Sequence, residues 1–182
     1  KIGVSFTSIE KAKMWLEKEI PDWDYEAIRE ETRALWNKEL QKILISGEHV
    51  TDVDKMKHYT AIYHAMCMPR DRSGDIPGYG DDVPMIDDHY AIWDTWRTLY
   101  PLYTLIARDE FAEMLEGFVN DYLECGWLPR WPSLGEVGCM PSTLIDAVIA
   151  EAAVNGIGKR EVLEKALEGM LQHANNESTE RH

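Results

Sequence analysis

One stretch of the sequence combines the residue types that carbohydrate chemistry uses: GWLPRWPSLGEVGCM, at 126–140. Its two prolines restrict the backbone, so Trp127 and Trp131 lose little entropy when they are displayed from a loop. A rigid indole stacks well on the apolar C–H face of a sugar ring, and Arg130 can donate hydrogen bonds to hydroxyl groups. The composition is therefore compatible with a sugar-binding loop.

A single carboxylate lies in the same stretch. Glu136 follows Gly135, where a glycine turn can project it away from neighbouring helices. A carboxyl beside tryptophan faces loses water and keeps its proton to higher pH, which is what a general acid in glycoside cleavage requires. The alternative is that the tryptophans plug the end of a helix bundle and Glu136 is a solvated turn residue. From composition alone the alternative is favoured.

A second group of candidate residues lies in DDHYAIWDTWRT, at 87–98. On a helix, Trp93 and Arg97 share a face and Asp94 can reach Arg97 at spacing i, i+3. Four side chains would lie in the first turns and face whatever the loops enclose: Asp88, His89, Trp93 and Asp94. The alternative is a surface ion pair between Asp94 and Arg97, with Trp93 and Trp96 as core anchors. Taken alone, this alternative is favoured.

Other site chemistries find little support in the sequence. The aspartate-rich segment 69–89 lacks the spacing of a calcium-binding EF-hand loop and is expected to be solvated, so no metal ligand is assigned in this chain. His58 and His64 have no second ligand at zinc spacing. The three cysteines lack both CxxC spacing and a nearby histidine. Glycine-rich phosphate loops and a GxSxG motif are also absent.

Length and charge limit the class of protein. The 182 residues suffice for one domain with a sizeable core. The net charge of −14 argues against nucleic acid and against anionic membrane surfaces as partners. No apolar run approaches the length of a membrane span, and no signal-peptide pattern follows Lys1. We expect a well-solvated acidic protein whose ligands are neutral or cationic.

Apolar residues recur at helical spacing along most of the chain, which predicts an all-α fold. The expected helices are one near 7–19, one beginning near Asp22, one capped by Asp52 or Asp54, one from Ile92 to Ile106 kinked at Pro101, one capped by Asp109, one ending at Gly156, and one over 162–171. Short links at 107–108 and 156–159 indicate antiparallel hairpins, as in an α/α toroid or solenoid. The polar tail 172–182 is expected to be disordered.

Three segments in order resemble one known family: WDTWRTLYPLYTLI, then GWLPRWPSLGEVGCM, then AVIAEAAVNGI at 147–157. They resemble the catalytic domain of glycoside hydrolase family 92, the calcium-dependent inverting α-mannosidases. The opening GVSFTSIEKA and the segment YHAMCMPR are similar as well, so the resemblance covers roughly 3–171. It implies one partial catalytic domain at 1–171, all-α, whose helical hairpins form about half of an (α/α)6-type toroid.

The resemblance also implies roles for matched residues. Glu136 stands where the family has its general acid, which protonates the departing glycosidic oxygen. Trp93 and Asp94 match a pair that lines the subsite for the non-reducing mannose. Arg130 and Trp131 match the wall of the same pocket. The implied function is that of an exo-acting α-mannosidase that hydrolyses α-linked mannosides of glycans with inversion.

The sequence departs from the family pattern at three positions. Ser142 and Thr143 stand where the family usually has Gly-Asp, and Glu151 replaces an aspartate. These differences leave the substrate preference open. A toroidal glycosidase of other sugar specificity, or a non-catalytic helical scaffold or interaction module, therefore remain alternatives.

A larger difference concerns the second half of the site. In the family, the general base and most calcium ligands lie in later segments that resemble GNDDCGQMSAW, and this chain contains no such segment. We therefore expect a truncated gene product, an excised fragment or a deliberately shortened chain, with the remaining half of the catalytic domain as its partner. Alone it should be inactive or bind sugar weakly. The intact enzyme would use calcium and act on mannose-containing glycans, in a secreted, periplasmic or cell-surface location.

Overall fold

The structure, a computed structural model, describes residues 1–87, 89–130 and 143–176, with only the backbone of Asp87. Within these ranges the secondary structure is helical apart from one pair of two-residue strands, as the sequence predicts. The elements are α1 Ile9–Glu19, α2 Tyr25–Leu40, α3 Asp52–Ala65, β1 Arg70–Asp71, β2 Ile86–Asp87, α4 Ile92–Thr95, α5 Leu99–Ile106, α6 Arg108–Cys125, α7 Ile145–Val154 and α8 Arg160–Asn175.

The chain divides into two compact units. We call Lys1–Cys67 together with Asp75–Asp81 the first unit. Met68–Gly74 together with the chain from Asp82 onward form the second unit. The segments identified as functional from the sequence, around 93–94 and 126–140, both belong to the second unit.

The three helices of the first unit begin at side-chain caps. Ser8, Asp24 and Thr51 each accept a hydrogen bond from a backbone N–H of the first turn. The cap of α2 is Asp24 and not Asp22, because the Asp22 carboxylate accepts from the backbone N–H of Asp24 in the preceding turn. The cap of α3 is Thr51, and Asp54 completes a capping box with it instead of acting as the cap.

Asp75 ties the second segment of the first unit to its N-terminal residues. Its carboxylate accepts from the hydroxyl groups of Ser5 and Thr7 and from the backbone N–H of Phe6. Partial burial by itself acts to raise the pKa of Asp75, but these three hydrogen bonds outweigh it and lower the pKa. The prediction of a wholly solvated acidic loop is therefore wrong at this residue.

The helix predicted from Ile92 to Ile106 is two helices. The break lies between α4 and α5, at 96–98, and is not a kink at Pro101. Pro101 lies in the first turn of α5, where the missing N–H of proline leaves no hydrogen bond unmade. α4 is therefore a single turn that follows directly on the long connection.

The core of the second unit surrounds α6. This helix begins after Ala107 without a side-chain cap, so the predicted cap at Asp109 is wrong. Asp109 lies instead in the first turn, where a negative charge interacts favourably with the helix dipole. The largest fully buried apolar side chains of the unit lie on α6 and on the elements around it: Met85, Ile92, Tyr100, Phe111, Leu115, Phe118, Leu128, Ile145 and Val148.

The two short strands pack closely on α6. β1 pairs with β2 in antiparallel register, Arg70 opposite Asp87 and Asp71 opposite Ile86. A Cβ atom at Gly117 of α6 would lie 2.8 Å from the backbone nitrogen of Ile86, so only glycine permits this approach. Strands of two residues show no alternation in sequence, which is why the pattern did not predict them.

α7 and α8 form a hairpin. Gly156, in the left-handed region at φ +68°, ends α7 near the residue predicted from the sequence. α8 continues to Asn175, four residues beyond the domain boundary expected at Leu171, and buries His173 in its last turn. Residues 172–175 are therefore helical, whereas 177–182 lie outside the described residues.

Candidate functional site

The connection between α6 and α7 starts as part of the core. Gly126 ends α6 at φ +80°, a left-handed conformation that glycine adopts without strain. The next residues turn inward: Leu128 and Pro129 are fully buried. The predicted acid Glu136 and the predicted pocket residue Trp131 lie outside the described residues, so their roles stay predictions.

Trp127 packs against a helix. Its ring stacks on the imidazole of His173, with centroids 5.7 Å apart and planes inclined by 18°. The side chain is half-buried, which differs from the expectation of a tryptophan displayed for sugar stacking. The cause is that the last turn of α8 places an aromatic surface beside the loop, 46 residues further along the chain. For this tryptophan the packing alternative was the better one.

Arg130 lies in the interior of the second unit and is 6% exposed. A buried guanidinium is stable only where polar groups pair with it, and its rotamers are then restricted. The side chain therefore resembles a fixed hydrogen-bond donor more than a mobile surface cation. Its role in binding a ligand stays a prediction.

Trp93 and Asp94 are both exposed on α4. Trp93 is 40% exposed and is thus not the core anchor of the alternative interpretation. Among the described residues Asp94 forms no ion pair with Arg97, whose guanidinium carbon lies 5.4 Å from the centre of the Trp96 ring instead. The ion-pair interpretation is therefore wrong. An indole and a carboxylate remain side by side and accessible to a ligand.

Two other titratable residues of the unit are core residues. His89, expected near a ligand, is fully buried and lies edge-on to Phe118 with ring centroids 5.0 Å apart. Tyr100 is also fully buried, and burial raises the pKa of its phenol, with a smaller contribution from Tyr103. The Tyr100 phenol is therefore neutral at physiological pH. Neither residue is placed to meet solvent or substrate.

One carboxyl has a raised pKa at the surface of α6. The pKa of Glu113 is raised by partial burial and, to a lesser degree, by repulsion from Asp71, Glu110, Glu116 and Asp109. The side chain is exposed and lies near other carboxylates. We interpret the shift as crowding of negative charge rather than as a catalytic feature.

The described residues do not supply a calcium site. Within 1–87, 89–130 and 143–176, no three His, Cys, Asp or Glu side chains converge as they would around a metal ion. In the same ranges, the helices are too short or too polar to cross a bilayer.

Sequence reasoning missed His173, whose ring contacts Trp127 of the candidate loop, and Asp146, which contacts His173. The Nδ1 atom of His173 lies 2.9 Å from Oδ1 of Asp146, in the first turn of α7. A signal for His173 was present, since it continues the buried stripe of Ala166 and Gly169 along α8. A histidine on an apolar stripe, before a polar tail, indicates a satisfied interior residue.

The sequence was compared with models of protein families and with curated proteins. The sequence matches the model of the glycosyl hydrolase family 92 catalytic domain over residues 11–182. A curated relative from Arthroderma benhamiae, described as an uncharacterized secreted glycosidase, is 31% identical over 99 residues, which are 53% of this chain and 13% of that protein.

Solved structures of the same family are similar over nearly the whole chain. An inverting mannosidase from Bacteroides thetaiotaomicron has a TM-score of 0.79 and 26% identity, over 97% of this chain and 25% of that one. An α-mannosidase from the same organism has a TM-score of 0.80 and 25% identity, over 96% and 24%. It is also known in complex with mannoimidazole. The chain spans a quarter or less of the length of these relatives. The similarity to these structures confirms the prediction that the chain is an all-α part of a helical toroid.

Proposed function

Because the chain belongs to glycosyl hydrolase family 92, we propose that it is part of an exo-acting α-mannosidase. The reaction is hydrolysis of α-linked mannosides of glycans with inversion at the anomeric carbon. The observation that carries this proposal is the similarity of the chain, over 97% of its length, to an inverting mannosidase of the family.

Glu136 is proposed as the general acid that protonates the departing glycosidic oxygen. An inverting enzyme also needs a base about 6.5–9.5 Å away that activates water on the opposite face of the sugar. No residue of this chain is assigned that role. The base and most calcium ligands are assigned to the later segments of the family's catalytic domain, as the resemblance to that family implies. The chain alone should therefore be inactive.

The described site residues are proposed to bind the terminal mannose. The exposed Trp93 ring offers a face for stacking, and the neighbouring Asp94 carboxylate can accept from sugar hydroxyls. Arg130, held in the interior, would act as a fixed donor, with Trp131 beside it in sequence. The proposed location is outside the cytoplasm, supported by the secreted relative.

The test uses an aryl α-mannoside with calcium. The full-length protein that carries this sequence should release the aryl group and yield β-mannose as first product, observed by NMR before mutarotation. Glu136→Gln should abolish turnover, because neutral glutamine cannot transfer the proton. Retained α-configuration, or preference for an α-glucoside, would contradict the proposal.

The 182-residue chain provides a second measurement. It should show at most weak mannose binding and no turnover. Clear, chelator-sensitive turnover by this chain, lost in Glu136→Gln, would show that it holds a complete site.

A non-catalytic scaffold is the second candidate, favoured by the packing of Trp127 on His173. It predicts no change of tryptophan fluorescence with mannose. The mannosidase proposal predicts a change that disappears in Trp93→Phe and persists in Trp23→Phe, because Trp23 is an exposed tryptophan of the first unit.

A further inference from the structure

The two described ends of the connection between α6 and α7 meet at one side chain. Trp127, the second residue after α6, stacks on the His173 ring. Asp146, the second residue of α7, holds the same ring through its Oδ1 atom, 2.9 Å from His173 Nδ1. Because His173 lies in the last turn of α8, a third element fixes both ends. We call this arrangement of Trp127, His173 and Asp146 the His173 clamp.

The chemistry of the clamp is structural. The Asp146 carboxylate oxygen is an acceptor for a hydrogen bond from an N–H group at His173 Nδ1. The imidazole side chain is 1% exposed. Its Nε2 atom has no hydrogen-bond partner among the described residues. Among the described residues, the ring acts through one hydrogen bond and one flat face.

A short, rigid link joins the clamp to Arg130. Leu128 is fully buried against α8, where a Cβ at Gly169 would lie 2.8 Å from its Cγ atom. Pro129 is fully buried as well, and its ring fixes the backbone angle φ. Little freedom remains between the Trp127 ring and the Arg130 backbone. A displacement of Trp127 must therefore reach Arg130.

We propose that His173 is a positioning residue for Arg130, acting through the His173 clamp. The inference rests on the proposed function, in which Arg130 contacts mannose. The clamp orders this segment before substrate binds. The entropy cost of ordering it therefore does not reduce the binding free energy. Its loss should weaken substrate binding more than it slows the chemical step.

The first test measures kinetics in the full-length protein, with an aryl α-mannoside and calcium. His173→Ala should raise KM about tenfold with kcat changed less than about threefold. His173→Phe keeps a ring and His173→Asn keeps a donor near the Nδ1 position, so each should lie between wild type and His173→Ala. Asp146→Asn, which keeps an acceptor, should restore most of what Asp146→Ala loses.

A double-mutant cycle decides whether the effect passes through Arg130. In an Arg130→Lys background, His173→Ala should change KM less than about twofold, because coupled residues are non-additive. The control is Leu163→Ala on the same helix, beside the Gly158 turn and away from the clamp. An equal KM change in both backgrounds, or the same change in Leu163→Ala, would overturn the positioning role.

The second test does not depend on activity. Hydrogen exchange at the amides of Leu128 and Arg130 should be at least about tenfold faster in His173→Ala than in Leu163→Ala. Unchanged exchange overturns the clamp itself. Faster exchange without a KM change in an active protein overturns the positioning role. If the wild-type protein cleaves no α-mannoside, the proposed function fails, and exchange alone decides whether the clamp exists.

Discussion

The two units of this chain reach order by different means. In the first unit, α1 and α2 bury none of their residues, and twelve of the eighteen large apolar side chains that are exposed among the described residues lie there. In the second unit lie 19 of the 21 buried apolar residues of the described chain. Among the described residues, the first unit therefore buries few apolar side chains and the second unit buries most of them.

The difference explains why the candidate site lies where it does. A binding residue must be held within a fraction of an ångström, which rigid packing achieves and isolated surface helices do not. Arg130 follows two fully buried residues, and α4 follows directly on the strands that pack on α6. The second unit supplies the rigid frame on which the candidate residues stand.

The largest expected effect lies in the core of the second unit. Phe118→Ala removes a fully buried ring that packs on His89 and Tyr100. The lost burial and the cavity should lower the free energy of unfolding by about 3–5 kcal/mol. Urea titration followed by circular dichroism measures it. A loss below about 1 kcal/mol would mean that this core does not hold the unit together.

A smaller effect tests the close packing of α6. Gly117→Ala places a methyl group 2.8 Å from backbone of β2, which cannot move aside as a side chain can. The matched control is Gly169→Ala, whose methyl group would have side-chain atoms of Leu128 and Tyr122 as its nearest neighbours. Gly117→Ala should destabilise by about 1–3 kcal/mol, and Gly169→Ala by less. Thermal unfolding compares the two, and equal effects would contradict the packing argument.

The next effect is local to the first unit. Asp75→Asn removes the charge that accepts hydrogen bonds from three donors. The backbone N–H of Phe6 should then exchange about 5- to 10-fold faster, because about one hydrogen bond is lost. The lowered pKa of Asp75 means that its contribution is complete above the unfolded pKa and is lost as pH falls. In wild type the Phe6 amide shift should therefore change below about pH 4. A pH-independent shift would show that the carboxylate does not hold the segment.

The smallest expected effect is that of Leu35→Ala on α2. Leu35 is 61% exposed, and alanine favours helix, so the free energy of unfolding should change by less than about 0.5 kcal/mol. The measurement is the same urea titration as for Phe118→Ala. A loss above about 2 kcal/mol would mean that this face of α2 is covered in solution, and the contrast between the units would then be wrong.

Local patterns in the sequence predicted much of the helical fold but not its details. The spacing of apolar residues predicted the helices. Gly156 predicted the end of α7. The break before Leu99, the uncapped start at Arg108 and the two-residue strands depend on packing against α6, which no local pattern encodes. Helix ends are set by such contacts as often as by caps.

The family was predictable from the sequence, whereas the surroundings of the candidate residues were not. The order of segments indicated the family, which the match over residues 11–182 confirms. Whether Trp127 is displayed or packed depends on His173, far along the chain, and no local property of the loop reveals it. Likewise the exposure of Trp93 follows from the short α4, which periodicity had merged into a longer helix.

The length of α8 carries a practical consequence for anyone who trims this sequence. A boundary drawn after Leu171, where the polar composition begins, keeps the whole loop that carries Arg130 and Glu136. It removes His173, and with it the imidazole between Trp127 and Asp146. A protein shortened at that point would contain each proposed mannose-binding residue of this chain and still lack the support that keeps Arg130 in place.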